Sequence, residues 1–458
     1  MTDVAAPPSR RALIGDLAAV GLGALLVLLA SLEGWRLIRA GQDIVLGFPP
    51  VLAAWMPHVG PGTPIALIVA VLVATRGPGV AERLSWRPLL LLSWAAAFVW
   101  TLGLALVDGW RKGIVERLSS NQEYLYDVPK VRDIGEMLRT FTDHILTDQP
   151  VFWVTHVGAH PPGVFLLFVW LDRIGLGGGG PGGVAVILAG ASACAAVAVA
   201  LRAIGHEQTA RAVLPFSVLF PGAVWVGVSA DGMFAAVLAW GVALLAVGAT
   251  RAGWRAGLAA LAGGVLLGYT LYLSYGLALA VFLPLAVVAG VRLAGGPGGW
   301  PWRAAAFAVG GALVVAVAFT VSGFWWVTGY EDVKVIYALS AAKDRPYSYF
   351  VWANLAALVL ATGPAVLAGL RRLVASPRAR DGRGMPTAAV LLVAAGVVAI
   401  LAADLSGLSK AEVERIWLPF GVWLMVACAL LPRRHATWWL LAQAALALAV
   451  NHLLFTVW

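Results

Sequence analysis

The stretch Thr155-His156-Val157-Gly158-Ala159-His160-Pro161-Pro162-Gly163 closes a polar segment that runs from Asp108 to His160 between two long apolar regions. Eight of the 23 Asp and Glu residues of the chain lie in this polar segment. Because a bilayer core disfavours charged side chains, a chain that is 61% hydrophobic must hold the segment in water at a membrane face. We therefore expect the chemistry of the protein to reside there.

The composition predicts an all-α, polytopic integral membrane protein. The mean hydropathy is +0.86 and only 12% of the residues are charged. Apolar runs of about 20 residues recur along the chain, which is the length that a helix needs to cross a bilayer core. The high content of Ala, Gly, Val and Arg is typical of a high-GC bacterium.

The charge of the chain reflects membrane topology and not nucleic-acid binding. The net charge is +9, but the basic residues are scattered through short loops and form no stripe. The two cysteines, Cys194 and Cys428, each lie within an apolar run. We interpret them as buried thiols, and no disulfide or metal site follows from them.

The positive-inside rule orients the chain in a plasma membrane with its N-terminus in the cytoplasm. Helices at about 13–32, 62–75 and 88–107 then deliver the segment 108–160 to the outside. If residues 161–176 also spanned the membrane, every later basic loop would lie outside. We favour a helix that lies along the outer surface or dips partway in. This choice places 18 of the 32 Lys and Arg inside and predicts about 13 transmembrane helices with the C-terminus outside.

Three acidic residues of the polar segment are candidates for the general base. Asp108 sits where the third helix leaves the membrane, beside an interfacial Trp. Glu123 and Asp127 are four residues apart, which puts them on one face of a helix, with Tyr124 beside them as a hydrogen-bond donor to a sugar or polar headgroup. A solvated helix end and a solvated amphipathic helix are the structural alternatives.

The rest of the polar segment predicts surface helices and a corner. Apolar residues recur at helical spacing over 131–146, which predicts an amphipathic helix on the outer membrane face. His156 and His160 have the spacing of two metal ligands on a helix, but Gly158 and the prolines oppose a helix there. We interpret the Pro-Pro-Gly sequence as a rigid corner that starts a new helix, with both histidines available to a substrate.

Later polar positions extend the candidate site. Asp231 interrupts two apolar runs at the outer end of a helical hairpin, where it either contributes to a site or caps the next helix. Cations beside a membrane face suit a phosphate group. The cations that we select as phosphate ligands in the two late outer loops, 324–347 and 404–416, are Lys343, Arg345, Lys410 and Arg415. The alternatives are internal ion pairs with Glu412 and Glu414, or a solvated loop.

This arrangement resembles the GT-C superfamily of membrane glycosyltransferases, which use polyprenyl-phosphate donors. In that superfamily an acidic residue just outside a transmembrane helix opens a long extracytoplasmic loop, which carries short surface helices and often closes with a Pro-Pro pair. Asp108 and His160-Pro161-Pro162-Gly163 match this order, Asp231 matches an acidic residue of a later hairpin, and Lys410 and Arg415 match basic residues that hold the donor phosphate.

The resemblance implies a GT-C-like core at 88–458, with an extracytoplasmic catalytic loop at 108–182. Residues 1–87 would add a cytoplasmic tail and two helices that precede this core. The adjacent acidic pair that is common in the first loop of the superfamily is absent. The base therefore stays open among Asp108, Glu123 and Asp127, and a divalent metal stays an open alternative as cofactor.

The implied function is transfer of a hexosyl or pentosyl group from a polyprenyl-phosphate sugar to a glycan, lipid or protein of the cell envelope, with inversion. A transporter or lipid flippase is the alternative function. Intramembrane charges, inverted repeats and broken helices would favour this alternative. A non-catalytic scaffold would not bring Asp108, Asp231 and Arg415 together.

Overall fold

A computed structural model describes residues 10–295, 301–375 and 385–457. The predicted all-α class is confirmed, since the described residues form helices joined by short turns, with two strands of three residues each. The cytoplasmic tail that we predict before residue 10 lies outside the described residues.

The helices and strands follow one another along the chain, and most boundaries fall at Gly, Pro or polar residues. The first elements are α1 (Arg10–Arg39), β1 (Ala53–Trp55), α2 (Gly62–Arg83) and α3 (Trp86–Ala105). The polar segment and its corner contain α4 (Tyr124–Asp127), α5 (Ile134–Arg139), α6 (Thr155–Gly158) and α7 (Pro162–Arg173). The remaining elements are α8 (Gly179–Ala191), α9 (Ala193–Ala203), α10 (Glu207–Val218), α11 (Ala223–Val226), α12 (Ala230–Thr250), α13 (Trp254–Thr270), α14 (Phe282–Ala294), α15 (Pro301–Val321), α16 (Trp326–Leu339), α17 (Tyr347–Thr362), α18 (Pro364–Ala375), α19 (Thr387–Leu405), α20 (Val413–Ile416), α21 (Leu418–Leu424), α22 (Ala436–Leu453) and β2 (Leu454–Thr456).

Eight helical stretches among the described residues are long and apolar enough to cross a membrane, or up to nine if the bent pair α17 and α18 is one span. The sequence predicts about 13 because it also counts shorter apolar segments. One of these is α13, which has 17 residues, and another is α10, which has 12. The chain is therefore a multi-span membrane protein, with fewer candidate spans among the described residues than the sequence predicts.

Residues 161–176 form a short buried helix. Helix α7 has 12 residues, a length of roughly 18 Å at 1.5 Å per residue, which is well below the thickness of a bilayer core. Its length fits the predicted non-spanning helix. Its position differs from the prediction, because most of its first eight side chains are buried inside the protein. The Pro161-Pro162 corner starts it as predicted.

The amphipathic helix predicted at 131–146 is not continuous. Helix α5 ends at Arg139, and a separate turn follows at Thr142–His144. The apolar side chains of the stretch are buried against protein, with Phe141 stacked on Trp153 at 5.5 Å between ring centroids. The helical spacing thus reflects packing into the core of the polar segment rather than contact with the membrane surface.

Small residues let the central helices pack closely. A Cβ atom on Gly264 of α13 would lie 2.0 Å from the carbonyl oxygen of Ala308 in α15, so only glycine fits. Helix α12 packs on the other side of α13, where a Cβ on Gly263 would lie 2.8 Å from the Gly241 oxygen. Close backbone approach of this kind is the usual basis of helix association in membranes. It gives the loops a rigid support.

Helices α17 and α18 meet at a bend of 108°. Gly363 occupies the bend with φ of +86°, a conformation that favours glycine, and Pro364 starts α18. The buried side chain of Gln443 donates to the Thr362 oxygen at 2.9 Å and accepts from the Ala365 amide at 3.1 Å. The backbone groups freed by the break are therefore satisfied within the protein.

Candidate functional site

A buried guanidinium forms the centre of the candidate site. Arg415 on α20 donates through Nη1 to Asp231 Oδ2 at 2.6 Å, and through Nη2 to Glu412 Oε2 at 2.6 Å. Its Nη2 also lies 3.1 Å from Nε2 of His156. The side chains of Arg415 and Asp231 are only 8% and 7% exposed. We call the set Glu123, His156, Asp231, Glu412 and Arg415 the Arg415 cluster.

The loop before α20 is held in an unusual backbone conformation. Ala411 and Glu412 both have positive φ, 77° and 62°, which is uncommon for residues with a Cβ. Upstream, the buried Asn354 of α17 donates to Asp404 Oδ1 at 2.9 Å and to the Ser409 oxygen at 2.8 Å. These contacts fix the loop, and its strained end delivers the Glu412 carboxylate to Arg415.

The polar segment supplies the histidine side of the cluster. His156 Nδ1 lies 2.9 Å from the Gln122 oxygen and 3.2 Å from Glu123 Oε1, and both are acceptors. Nδ1 therefore carries the proton, and Nε2 accepts from Arg415. The buried Tyr124 ring lies within 6.0 Å of the His156 ring centroid and stacks on Phe168 at 5.4 Å.

Three segments that are remote in sequence meet in this cluster. His156 comes from the polar segment, Asp231 from the first turn of α12, and Arg415 from the late loop. They must lie at the same side of the helix bundle, as the predicted topology requires. The site residues that this geometry gathers are Glu123, Tyr124, His156, His160, Asp231 and Arg415. Asp231 lies in the first turn of α12, where its carboxylate accepts a hydrogen bond from Arg415.

Burial and neighbouring charges shift several titrations in the cluster. Burial raises the pKa of Glu123 to about 7, against the opposing charge of Arg415. Burial, and next the charge of Arg415, hold the pKa of His156 well below its usual range. Burial lowers the pKa of Arg415, but the Asp231 and Glu412 carboxylates raise this pKa by more, so that it is raised overall. One permanent cation therefore faces two close carboxylates and a neutral imidazole.

Asp108 belongs to a second cluster. Its Oδ2 accepts from Arg117 Nη2 at 2.6 Å, and its Oδ1 lies 2.7 Å from Nε2 of His58. Arg117 also donates to the Thr456 oxygen at 2.5 Å. Thr456 lies on β2, which pairs with β1, the strand that precedes His58. We call His58, Asp108, Arg117 and Thr456 the Asp108 clasp, because it joins the N-terminal helices, the polar segment and β2.

We expect Asp108→Asn to weaken the fold as well as any activity. The side chains of Asp108 and Arg117 are 8% and 5% exposed, so loss of the carboxylate leaves a buried guanidinium without its charged partner. A loss of roughly 2 kcal/mol of unfolding free energy is expected from charged hydrogen bonds of this kind. Thermal unfolding in detergent measures it. Glu116→Gln, which removes the exposed partner of Arg111, is the control; equal melting temperatures for the two variants would contradict the clasp.

Asp127, the third predicted base, is fully buried and holds the chain in place. Its Oδ2 accepts from the Val154 amide at 2.8 Å, and its Oδ1 lies 2.5 Å from the Lys130 ammonium. These contacts link α4 to the extended segment around Val154 that leads into α6. The geometry favours a structural role for Asp127, which positions His156 through the backbone.

The late-loop cations form a third group, apart from Arg415. Lys410 Nζ donates to the Lys343 and Arg345 backbone oxygens at 2.7 and 3.0 Å, and Arg345 Nη1 donates to the Lys410 oxygen at 2.6 Å. These acceptors are neutral carbonyls, so the positive charge stays available to an anion. Burial, and next the charge of Arg345, lower the pKa of Lys410. We call Lys343, Arg345 and Lys410 the basic group.

Sequence reasoning did not select several residues that complete these clusters. His58 and Arg117 carry no motif in the sequence, and their roles depend on contacts with segments remote in sequence, such as Arg117 with Thr456. The ion pair between Arg415 and Glu412, one of the alternatives named for the late loop, is present at 2.6 Å. The sequence indicates Glu414 only as an alternative ion-pair partner of the late-loop cations. It is fully buried, its Oε1 accepts from the Leu52 amide at 3.2 Å, and its Oε2 makes no hydrogen bond within the described chain.

Glu414 gives a testable pH dependence. Burial raises its pKa to about 7 from an ordinary 4.5, so the folded protein holds a proton that the unfolded chain releases. Stability should therefore fall as pH rises from about 4.5 through about 7. Glu414→Gln keeps the acceptor for Leu52 and cannot ionise, so its melting temperature should exceed that of the wild type above pH 7. Melting curves across this pH range measure the gap. The exposed Glu136→Gln should follow the wild type, and parallel curves for Glu414→Gln would refute the explanation.

The arrangement offers acceptors, a fixed cation and imidazole, which suits hydrogen bonding and proton transfer to a polyhydroxylated molecule. Within the described residues, no three His, Cys, Asp or Glu side chains come together as a metal-binding set. The side chains of the Arg415 cluster can themselves supply acid–base and electrostatic chemistry.

Comparison with solved structures finds similarity to a membrane enzyme. No family model matches the chain, and no curated protein matches it. The crystal structure of the Archaeoglobus fulgidus oligosaccharyltransferase in its apo form is similar over 74% of this chain and 50% of that chain, with 12% identity and a TM-score of 0.49. The chain thus corresponds to about half the length of that enzyme.

Proposed function

We propose that the protein is a bacterial plasma-membrane glycosyltransferase with an extracytoplasmic site. It transfers a hexosyl or pentosyl group from a polyprenyl-phosphate donor to an acceptor hydroxyl of a cell-envelope glycan, lipid or protein. The observation that carries the proposal is the Arg415 cluster, in which the polar segment, the start of α12 and the late loop join their polar side chains. Residues 88–458 form the transferase core in this proposal, and residues 1–87 precede it.

The Arg415 cluster suits the sugar hydroxyls. It holds two carboxylates within 2.6 Å of one guanidinium, so it has no surplus positive charge for a phosphate. Carboxylates and neutral imidazole accept hydrogen bonds from hydroxyls, and the Arg415 guanidinium donates them. The aromatic ring of Tyr124 adds an apolar wall of the kind that packs on a sugar face.

The basic group suits the donor phosphate. Lys343, Arg345 and Lys410 stand together on two late loops that contact each other directly, and the side chains of Arg345 and Lys410 donate to backbone carbonyls. A phosphate held there would keep its prenyl tail beside the membrane helices. When the sugar–phosphate carbon–oxygen bond breaks, negative charge grows on the phosphate, and fixed cations stabilise it.

The proposed reaction is a single displacement with inversion. The acceptor oxygen forms a new bond to the anomeric carbon, and the bond from that carbon to the phosphate oxygen breaks. The phosphate leaves with the electron pair, and the acceptor proton passes to a group of the site. No sugar nucleotide takes part.

A transporter or lipid flippase is the second candidate, favoured by the bend between α17 and α18. In addition, Asp16 of α1 is buried and pairs with Arg372 of α18. However, Gln443 already satisfies the backbone at the bend, and Arg372 already neutralises Asp16. Both features are therefore explained as structural, and the polar side chains of the Arg415 cluster favour an enzyme.

The transferase proposal is tested with purified protein in nanodiscs and a panel of radiolabelled polyprenyl-phosphate hexoses and pentoses. We expect transfer to an envelope extract, and a KM for the donor at least about tenfold higher when Lys343, Arg345 and Lys410 are all changed to Gln. Lys334→Gln, on the exposed pair with Glu331, is the control. Transfer by none of the donors, together with lipid movement across reconstituted vesicles, would favour the flippase.

A further inference from the structure

We propose that His160 is the proton acceptor of the site, through its Nε2 atom. The inference rests on the proposed transferase function and names the group that deprotonates the attacking hydroxyl. It differs from the expectation that a carboxylate of the polar segment is the base.

The hydrogen bonding of His160 fixes its tautomer. Its Nδ1 lies 2.8 Å from the backbone oxygen of His156, which can only accept, so Nδ1 carries the proton. Nε2 then presents a lone pair, and no described residue donates a hydrogen bond to it. Neutral imidazole with a bound Nδ1 proton and a free Nε2 is the form in which histidine acts as a general base.

The competing carboxylates are already occupied. Asp108 is paired with Arg117 at 2.6 Å and lies 2.7 Å from His58, so two donors hold it in the clasp. Asp127 has one oxygen on the Lys130 ammonium and the other on a backbone amide. A carboxylate that is tied to a cation is a weak base, because proton uptake would break the ion pair.

The carboxylates of the Arg415 cluster are engaged as well. Asp231 accepts from Arg415 at 2.6 Å, and Glu123 faces the protonated Nδ1 of His156 at 3.2 Å. By contrast, the Nε2 atom of His160 accepts no hydrogen bond from the described residues. The His160 ring lies 6.2 Å from the His156 ring between centroids, which places it beside the cluster.

The position of His160 is fixed by its surroundings. Pro161 and Pro162 follow directly and start α7, while the rings of Tyr124 and Phe234 lie 5.9 and 6.2 Å away between centroids. Burial lowers the pKa of His160 below its usual 6.5, so the imidazole is neutral at pH 7. The Asp231 charge acts the other way and favours the imidazolium once a proton arrives.

The proton and electron changes balance within the displacement described above. The acceptor O–H bond breaks as its oxygen bonds to the anomeric carbon, and the proton moves to Nε2 of His160. The phosphate leaves with the electron pair of the broken carbon–oxygen bond. The imidazolium later returns its proton to water or to the departing phosphate.

Chemical modification tests the free Nε2 without any need for turnover. Diethyl pyrocarbonate acylates unprotonated imidazole nitrogens, and peptide mass spectrometry locates the adduct. We expect His160 of the intact protein in nanodiscs to react at pH 7, and to slow only at pH values below the usual imidazole pKa of 6.5, because its pKa is lowered. His206, in the loop between α9 and α10, is the reference site. An unmodified His160 beside a modified His206 would overturn the proposal, whether or not the protein is a transferase.

Turnover provides the second readout. His160→Gln should lower kcat at least about 100-fold, the lower range for loss of a general base, whereas His206→Gln should leave it unchanged. The acidic limb of the wild-type pH profile should lie below pH 6.5, and added imidazole should restore part of the activity of His160→Ala. A different result would identify Glu123 as the proton acceptor instead. In that case the acidic limb of the pH profile would lie near pH 7 and disappear in Glu123→Gln, while His160→Gln would stay active.

Discussion

Replacing Arg415 by Met should cost about 3–5 kcal/mol of unfolding free energy, the usual loss when one partner of a buried ion pair is removed. The methionine fills a similar volume but leaves the Asp231 carboxylate, which is 7% exposed, without a counter-ion. Transfer activity should be lost at the same time. Thermal unfolding in detergent and the transfer assay measure the two effects separately.

A double variant separates the structural effect from the functional one. Arg415→Met combined with Asp231→Leu removes both charges, so it should recover much of the stability that Arg415→Met loses. Activity should stay lost, because the double variant restores neither hydrogen-bonding group. Full activity in a stable double variant would exclude the Arg415 cluster from the reaction. A single variant as stable as the wild type would show that Arg415 is not buried as described.

Replacing Asp16 by Leu should destabilise the protein by a similar amount, about 3–5 kcal/mol, at a place far from the proposed chemistry. Asp16 is fully buried in α1 and binds Arg372 of α18 through both carboxylate oxygens, at 2.5 to 3.0 Å. Arg371 lies 3.2 Å away on the same helix. Without the carboxylate, the Arg372 cation remains between helices with no charged partner. Melting temperatures and yields of monodisperse protein measure the loss.

The same helix provides the matched control. Glu33 and Arg36 form an exposed ion pair on α1, with side chains 33% and 66% exposed, and Glu33→Gln should leave the melting temperature almost unchanged. The variant Asp16→Leu with Arg372→Leu should recover stability relative to Asp16→Leu alone. If Asp16→Leu and Glu33→Gln melted at the same temperature, the link between α1 and α18 would contribute nothing to the fold.

The fold class follows from the sequence because its cause is local. A run of apolar residues has few stable forms in a membrane other than a helix, so the position of α3 and the helix start at Pro162 are predicted within a few residues. The number of spans is harder to predict. Helix α13 reads as a full span although it has 17 residues, and the break at Gly363 is marked only by one Gly-Pro pair.

The sequence points to several residues of the Arg415 cluster, but not to their partners. His156, Asp231 and Arg415 stand out as polar residues beside apolar runs, and they do meet. Asp108 stands out for the same reason, yet its contacts are with His58 and Arg117. Which cation reaches which carboxylate depends on the packing of remote helices. Spacing along one chain carries no information about that packing.

The Asp108 clasp also has a consequence for biosynthesis. Ala53 of β1 pairs with Thr456 of β2, so about 400 further residues must be synthesised after β1 before its partner strand exists. At roughly 5–20 residues per second, that interval is on the order of 20 to 80 seconds. During it Arg117 lacks its Thr456 acceptor, and the polar segment has already emerged. The ribosome must therefore reach residue 456 before this segment can lock, and a nascent chain that stalls earlier would expose it to proteases.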